Sequence, residues 1–283
     1  MVKKIATVGT LITSSFVLAV VVVAAPPLQT ATLDTPGITR TLLLPPAADN
    51  SNVISLGIAV DPGTGKMVEG RAIIHRKDNA ARPGGTRPTK TTCYSYLAKG
   101  AKWKTVEPWV TNPTNARSLD PTAVFNLLNE GVVKWEDATD GTIGNSTGVD
   151  VLGSGSTTTE VLAADTVSPD NKNEVYFADI TDSNAIAVTI VWGIFRGPIS
   201  GRQLVEWDQV YDDTTFDWSA ESTGVPDKMD FDNIATHELG HSLGMGDLYN
   251  TCVDETMYGY SSDAETKKRD LNNGDISGVN SLY

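Results

Sequence analysis

The sequence predicts a mixed α/β fold of the α+β kind, in which helices pack on a sheet. Short apolar runs such as "VYFADI" and "AIAVTIVWGIF" predict strands, and two longer segments place apolar residues at helical spacing. Turn-rich breaks separate these segments, in the order strand, helix, strands, helix. A chain of 283 residues with 40% apolar residues can bury a sizeable core.

The N-terminal residues 1–25 predict a signal peptide or an N-terminal membrane anchor. Lys3 and Lys4 precede an uncharged apolar stretch, residues 5–25, that ends in small residues. Its length suits a cleaved signal and also approaches the roughly 20 residues that span a bilayer. Both alternatives stay open, and both place the bulk of the chain outside the cell, either secreted or anchored to the outer face of the membrane.

Residues 26–90 predict a linker followed by a β-hairpin. The runs "VISLGIAV" and "MVEGRAIIH" flank the turn-rich "DPGTGK". Proline and glycine then punctuate residues 79–90, which we interpret as the boundary of a second domain at 91–283. The sequence leaves open whether 26–90 is a removable pro-segment or a permanent part of the protein.

After residue 90 the sequence predicts a helix and four strands, the strands being "AKWKTVEPWVT", "VYFADI", "AIAVTIVWGIF" and "RQLVEWDQVYDD". Asp120 can cap the helix and Pro121 suits its first position. The apolar stripe of this helix consists of Val124, Leu128, Val132 and Trp135. Side chains alternate between the two faces of the strand "AIAVTIVWGIF". Thr189 therefore lies on one face of the sheet and Val188 on the opposite face. The more polar "RQLVEWDQVYDD" predicts an edge strand.

A second helix spans "DKMDFDNIATHELGHSLG" and carries two of the three histidines. Its apolar ladder consists of Phe231, Ala235, Leu239 and Leu243. His237 and His241 also step by four and lie roughly 160 to 200° away around the helix, at about 100° per residue. We therefore expect the helix to bury the ladder and to present both imidazoles from its other side.

Two imidazoles at this spacing can bind one zinc ion, with a third protein ligand and an open fourth position. Glu238 is placed to act as general base on the activated water. Gly244 can end the helix in a left-handed conformation and return the chain toward the metal, where Asp247 is the third ligand. The remaining histidine, His75, lies before the expected domain boundary, so the histidine count also favours Asp247.

"HELGHSLGMGD", followed by "ETMYGY", resembles the extended zinc motif and methionine turn of the metzincin clan of zinc endopeptidases, and Met257 is the turn position. The closing "LNNGDISGVNSLY" is similar to that of matrixin catalytic domains. An aspartate at the third position resembles the snapalysin-like minority. The resemblance covers roughly residues 93–283. It implies a catalytic domain with a twisted mixed sheet, an antiparallel edge strand and an active-site helix.

The function predicted is an exported zinc-dependent endopeptidase acting on proteins or peptides. The alternative is an exported binding or adhesion protein that keeps the fold without turnover, and the intact Glu238 favours the enzyme. A net charge of -13 argues against nucleic acid as a partner. We expect a monomer, with membrane contact only if the N-terminal segment is retained.

Two further predictions concern Cys93, Cys252 and calcium. In an oxidising compartment the two cysteines have one pairing, so a disulfide is expected. The alternative is that Cys93 is a zinc-blocking thiol, but the sequence around it lacks the "PRCGxPD" pattern of protease pro-segments that block zinc in this way.

The acidic "YDDTTFDW" could bind a structural Ca²⁺ ion, but its spacing matches no calcium loop and favours a solvated loop.

Overall fold

The computed structural model of the chain describes residues 40–45, 51–77, 92–249 and 252–283. Within these ranges the α-helices are α1 (Pro121–Asp137), α2 (Phe231–Ser242) and α3 (Asn273–Leu282). The strands are β1 (Thr41–Leu42), β2 (Val53–Val60), β3 (Met67–Lys77), β4 (Ser95–Tyr96), β5 (Trp109–Asn112), β6 (Gly155–Thr157), β7 (Asn173–Ile180), β8 (Ala185–Ile194), β9 (Gln203–Asp212), β10 (Trp218–Ser219), β11 (Met229–Asp230), β12 (Met245–Gly246) and β13 (Tyr260–Ser261).

The main sheet is mixed and has nine strands in the described chain. Its path runs β13-β3-β8-β9-β7-β5-β6, with β2 added beside β3 and β1 beside β7. The strands β5, β6, β7 and β9 pair in parallel, whereas β2, β3, β8 and β9 pair antiparallel along their length. The predicted α/β class with a mixed sheet is therefore the observed one.

Helices α1 and α2 pack on one face of the sheet, as the sequence pattern predicts. Asp120 caps α1 by accepting hydrogen bonds from the backbone N–H groups of Thr122 and Ala123. The four stripe residues of α1 are at most 1% exposed. The Trp135 indole donates to the Thr236 carbonyl at 2.7 Å, which ties α1 to α2 and places α2 beneath the strands.

The strand predicted at an edge, β9, lies inside the sheet between β8 and β7, so that prediction is wrong. Its polar residues include Asp208 and Asp212, whose carboxylates accept backbone hydrogen bonds within the fold. Asp208 accepts from the N–H groups of Asp165 and Glu174, at 2.9 and 3.1 Å. Asp212 accepts from the N–H of Ile180 at 3.0 Å. These buried acids are tolerated inside the sheet because they have hydrogen-bond partners. In the sequence, however, they resemble the polar residues of a solvent-exposed edge strand.

The predicted hairpin forms from β2 and β3, joined by a turn in which the Asp61 carboxylate accepts from the N–H groups of Gly63 and Thr64. Strand β3 continues into the main sheet, because it pairs antiparallel with β8 from Glu69 to Arg76. Strand β8 is thus antiparallel to both of its neighbours, β3 and β9, and is not an edge of the sheet.

The N-terminal signal or anchor and the boundary at residues 79–90 lie outside the described residues. The division of the chain at residue 90 therefore stays a prediction. Within the described ranges, no helix combines the length and the apolar character needed to cross a bilayer.

Cys93 and Cys252 form a disulfide, with their Cα atoms 5.5 Å apart. The bridge joins the segment before β4 to the segment between β12 and the methionine turn. Because it engages Cys93, that residue is not a zinc-blocking thiol in this structure. A closed loop of this size, with a sequence separation of 159 residues, restricts the unfolded chain strongly.

Replacing both cysteines by serine is expected to lower the free energy of unfolding by about 3 to 5 kcal/mol, because the unfolded chain regains the freedom that the bridge removes. Urea denaturation of the wild-type and Cys93→Ser/Cys252→Ser chains measures the difference. Thiol labelling of the folded wild type is the control. Two reactive thiols, or an unchanged unfolding midpoint, would rule out the bridge.

Candidate active site and metal centre

Helix α2 holds both histidines of the motif and is buried on all sides. The Asp230 carboxylate caps it by accepting from the Asn233 N–H at 2.9 Å. The predicted apolar ladder is fully buried. His237, Glu238 and His241 are also 0% exposed, so the face of the helix that carries the histidines is covered. The reason is β3, which lies over that face.

Three ligand atoms converge beside the helix. The Nε2 atoms of His237 and His241 lie 3.2 and 3.3 Å from Oδ1 of Asp247. All three atoms are buried and none has a well-aligned hydrogen-bond partner. Buried polar atoms without partners are rare in folded proteins, so three of them around one point indicate a candidate metal site. Two nitrogens and a carboxylate oxygen suit a zinc site with an open position.

The other atoms of these ligands are held in place by their neighbours. Nδ1 of His237 donates to the Thr256 carbonyl at 2.7 Å, and Nδ1 of His241 donates to the Met245 carbonyl at 3.0 Å. Since a carbonyl can only accept, Nδ1 carries a proton in both rings, so Nε2 is the nitrogen of each ring that can face a metal. The Tyr249 hydroxyl donates to Oδ2 of Asp247 at 2.7 Å.

Asp247 carries a negative charge in this arrangement. Its burial alone would raise the pKa, but the adjacent His241 and His237 side chains hold the pKa of Asp247 well below its usual range. A charged carboxylate between two imidazoles is the species that binds a divalent cation.

The chain reverses at Gly244, as the sequence predicts, with φ of +103°. Strand β12 then pairs antiparallel with β4, where Met245 faces Tyr96. Next, the Leu248 N–H donates to the Met257 carbonyl at 2.8 Å. These contacts on either side of Asp247 fix the position of its carboxylate.

Met257 lies under the active-site helix and is fully buried. A Cβ added at Gly240 would lie 2.3 Å from the Met257 sulfur and 2.7 Å from the Trp135 ring, which explains a glycine inside a helix. The Asp275 carboxylate of α3 accepts from the N–H groups of Thr256 and Met257, at 2.8 and 3.2 Å. The closing helix therefore holds the methionine turn.

A Gly240→Ala change is expected to lower the free energy of unfolding by about 1 to 3 kcal/mol, because the added methyl group overpacks the contact with Met257. Helix propensity alone predicts the opposite, a gain of about 1 kcal/mol. Thermal unfolding distinguishes the two. Gly201→Ala is the matched control, since a Cβ there meets nothing within 4 Å. A stabilised Gly240→Ala protein would contradict the close packing.

Glu238 has both carboxylate oxygens engaged. Oε2 accepts from the Thr189 hydroxyl of β8 at 2.5 Å, and Oε1 lies 2.9 Å from Nδ1 of His75 on β3. Burial raises the pKa of Glu238 to about 7. The alternation of side chains along β8 placed Thr189 on the face opposite Val188, which agrees with its position over the helix.

His75 is the site residue that the sequence did not indicate. Burial lowers the pKa of His75 well below its usual value, so the ring is neutral. Its Nε2 accepts from Nζ of the buried Lys268 at 3.2 Å, which leaves the proton on Nδ1 to be donated to Glu238. The His75 ring also packs against His237, with centroids 3.9 Å apart.

The acidic segment considered for calcium uses its carboxylates internally. Both Asp212 oxygens accept backbone N–H groups, and Asp213 accepts from the Ala116 N–H at 2.6 Å. No carboxylate of residues 211–218 belongs to a ligand cluster among the described residues. The geometry gives no support to calcium at this position.

Comparison with known families agrees with this geometry. Residues 164–283 match the family model of the matrixins, which covers β7 to α3, including the ligand residues and the methionine turn. Residues 164–283 are therefore similar to a matrixin-type, metzincin-clan catalytic domain. Matrixins are zinc metalloendopeptidases as a class, and the match supports a metallopeptidase domain in this part of the chain. No curated protein matches the chain significantly.

Proposed function

We propose that the chain is an exported zinc-dependent endopeptidase that hydrolyses peptide bonds in proteins or peptides. In this proposal His237, His241 and Asp247 hold one zinc ion, and Glu238 is the general base. The observation that carries the proposal is the convergence of three buried, unpartnered ligand atoms next to a buried glutamate. The matrixin match supports the same class of chemistry.

A bound zinc ion would polarise the substrate carbonyl and make water acidic enough to react near neutral pH. Glu238 then takes a proton from the attacking water and passes it to the leaving nitrogen. Thr189 fixes Oε2 of this carboxylate, so Oε1 is the oxygen that exchanges the proton. A pKa raised to about 7 by burial suits a group that must accept and release a proton.

Export is supported by the basic and apolar character of residues 1–25 and by the disulfide. Disulfides persist in oxidising compartments and are rare in the cytosol. We therefore place the working protein outside the cell, secreted or held at the outer face of the membrane.

Hydrolysis of an unfolded protein tests this function, measured with the purified, zinc-loaded wild-type chain and with Ile73→Asp, a change in the strand β3 that covers the site. We expect new peptide termini in mass spectra, loss of cleavage with a zinc chelator, and recovery on adding zinc back. Zinc content is measured in the same samples. Stoichiometric zinc with no cleavage, even when the site is opened as described below, would favour the alternative of a binding protein.

A further inference from the structure

We propose that strand β3 is an internal inhibitor, which fills the substrate groove of this domain and holds the general base in an inactive contact. The inference rests on the proposed endopeptidase function. It assigns residues 67–77 a regulatory role that depends on where the strand lies and on what His75 touches.

Strand β3 fills a groove with two walls. On one side it pairs antiparallel with β8, from Glu69 opposite Gly193 to Arg76 opposite Ala185. On the other side it pairs antiparallel with β2 from Met67 to Ile73, and its end pairs in parallel with β13, where Tyr260 faces Arg76. Without β3, the outer side of β8 would be an unpaired strand edge directly above α2. Such an edge binds extended peptides by main-chain hydrogen bonds, so β3 occupies the place that suits a substrate.

Strand β3 also blocks the general base, because its residue His75 contacts Glu238. His75 donates to Oε1 of Glu238, the oxygen that the proposed mechanism needs for the proton of water. Since Thr189 already occupies Oε2, neither oxygen is available. His237, Glu238 and His241 have no exposed surface. A peptide cannot reach the site while β3 is in place.

The cover is held by several contacts along its length. Ile73 is buried in the core that surrounds α2. The Arg71 guanidinium lies 4.1 Å from the centre of the Phe195 ring. Lys77 pairs with Asp263 at 2.6 Å. These contacts keep the described chain latent, and activation requires displacement of the hairpin.

The test uses the full, zinc-loaded chain with the substitution Ile73→Asp, which places a charged side chain at a buried position of β3. Ile58→Asp is the matched control, because Ile58 lies on β2 and is 63% exposed. The first measurement is hydrogen exchange of the β8 amides, which needs no zinc. The second is the affinity for a short peptide hydroxamate, a probe that must enter the groove and reach the metal.

We expect Ile73→Asp to lose protection of the β8 amides that bond to β3, while those that bond to β9 stay protected. The variant should bind the hydroxamate about 100-fold more tightly than wild type, as for a groove that is open in about 1% of wild-type molecules. Ile58→Asp should match wild type in both measurements. Equal hydroxamate affinity in wild type and Ile73→Asp, or full protection of β8 in that variant, would overturn the proposal.

Hydrogen exchange of the wild-type chain decides the case if Ile73→Asp fails to fold. A cover opens on its own, so the β3 and β8 amides should exchange together before those of α2. Exchange of β3 only through global unfolding would show that the hairpin is a permanent part of the core. If no sample binds zinc, the proposed function fails, whereas hydrogen exchange still reports on the cover.

Discussion

Glu238→Gln is expected to reduce peptide-bond hydrolysis by about 10²- to 10⁴-fold, the usual contribution of a positioned general base. Glutamine keeps the size of the side chain and can still receive the Thr189 hydrogen bond, but it cannot accept a proton from water. Bound zinc should stay the same, because Glu238 is not among the three converging ligand atoms. The measurement is kcat on an unfolded protein, together with zinc content.

The control for this change is Glu130→Gln on α1, an exposed glutamate far from the ligands in sequence. Its kcat should match wild type. Because β3 covers the site, the comparison is repeated in the Ile73→Asp background, so that latency does not hide the effect. Hydrolysis at the wild-type rate by Glu238→Gln would refute the assigned mechanism.

Asp247→Ala is expected to weaken zinc binding by at least about 100-fold. Loss of an outer hydrogen-bond partner already costs about 10- to 100-fold in metal affinity, and Asp247 is proposed as a direct ligand. The change also removes the negative charge that lies 3.2 and 3.3 Å from the two imidazoles. Competition with a chromophoric zinc chelator measures the affinity.

Asp254→Ala is the matched control, since Asp254 lies in the same connecting segment with an exposed side chain. It should keep the wild-type affinity. A wild-type zinc affinity in Asp247→Ala would mean that the two histidines take their third ligand from elsewhere. The Cys93→Ser/Cys252→Ser protein provides a second comparison, because it alters the anchoring of this segment without altering a ligand.

The local part of the site was predictable because it depends on short spacings. The i, i+4 step of His237 and His241 places both rings on one helix face whatever surrounds the helix. The reversal at Gly244 needs only a residue that tolerates positive φ. The structure brings Asp247 to the same point, although its role as a ligand stays a proposal.

The position of β3 was not predictable from the pattern of one chain. The pattern of apolar residues predicts a hairpin, but it does not predict which other strand the hairpin pairs with. His75 faces Ala187 across a separation of more than one hundred residues, and no local rule connects them. Strand β9 was misjudged for a related reason, because its acids are satisfied by backbone groups that only the folded sheet supplies.

X-ray absorption at the zinc edge of the purified full chain tests the central claim most directly. We expect two imidazole nitrogens at about 2.0 to 2.1 Å and a carboxylate oxygen at about 2.0 to 2.2 Å, with no sulfur. Asp247→Ala should remove the carboxylate oxygen from this set. A third imidazole in the wild type, which only His75 could supply, or a zinc shell without imidazole would contradict the proposed centre.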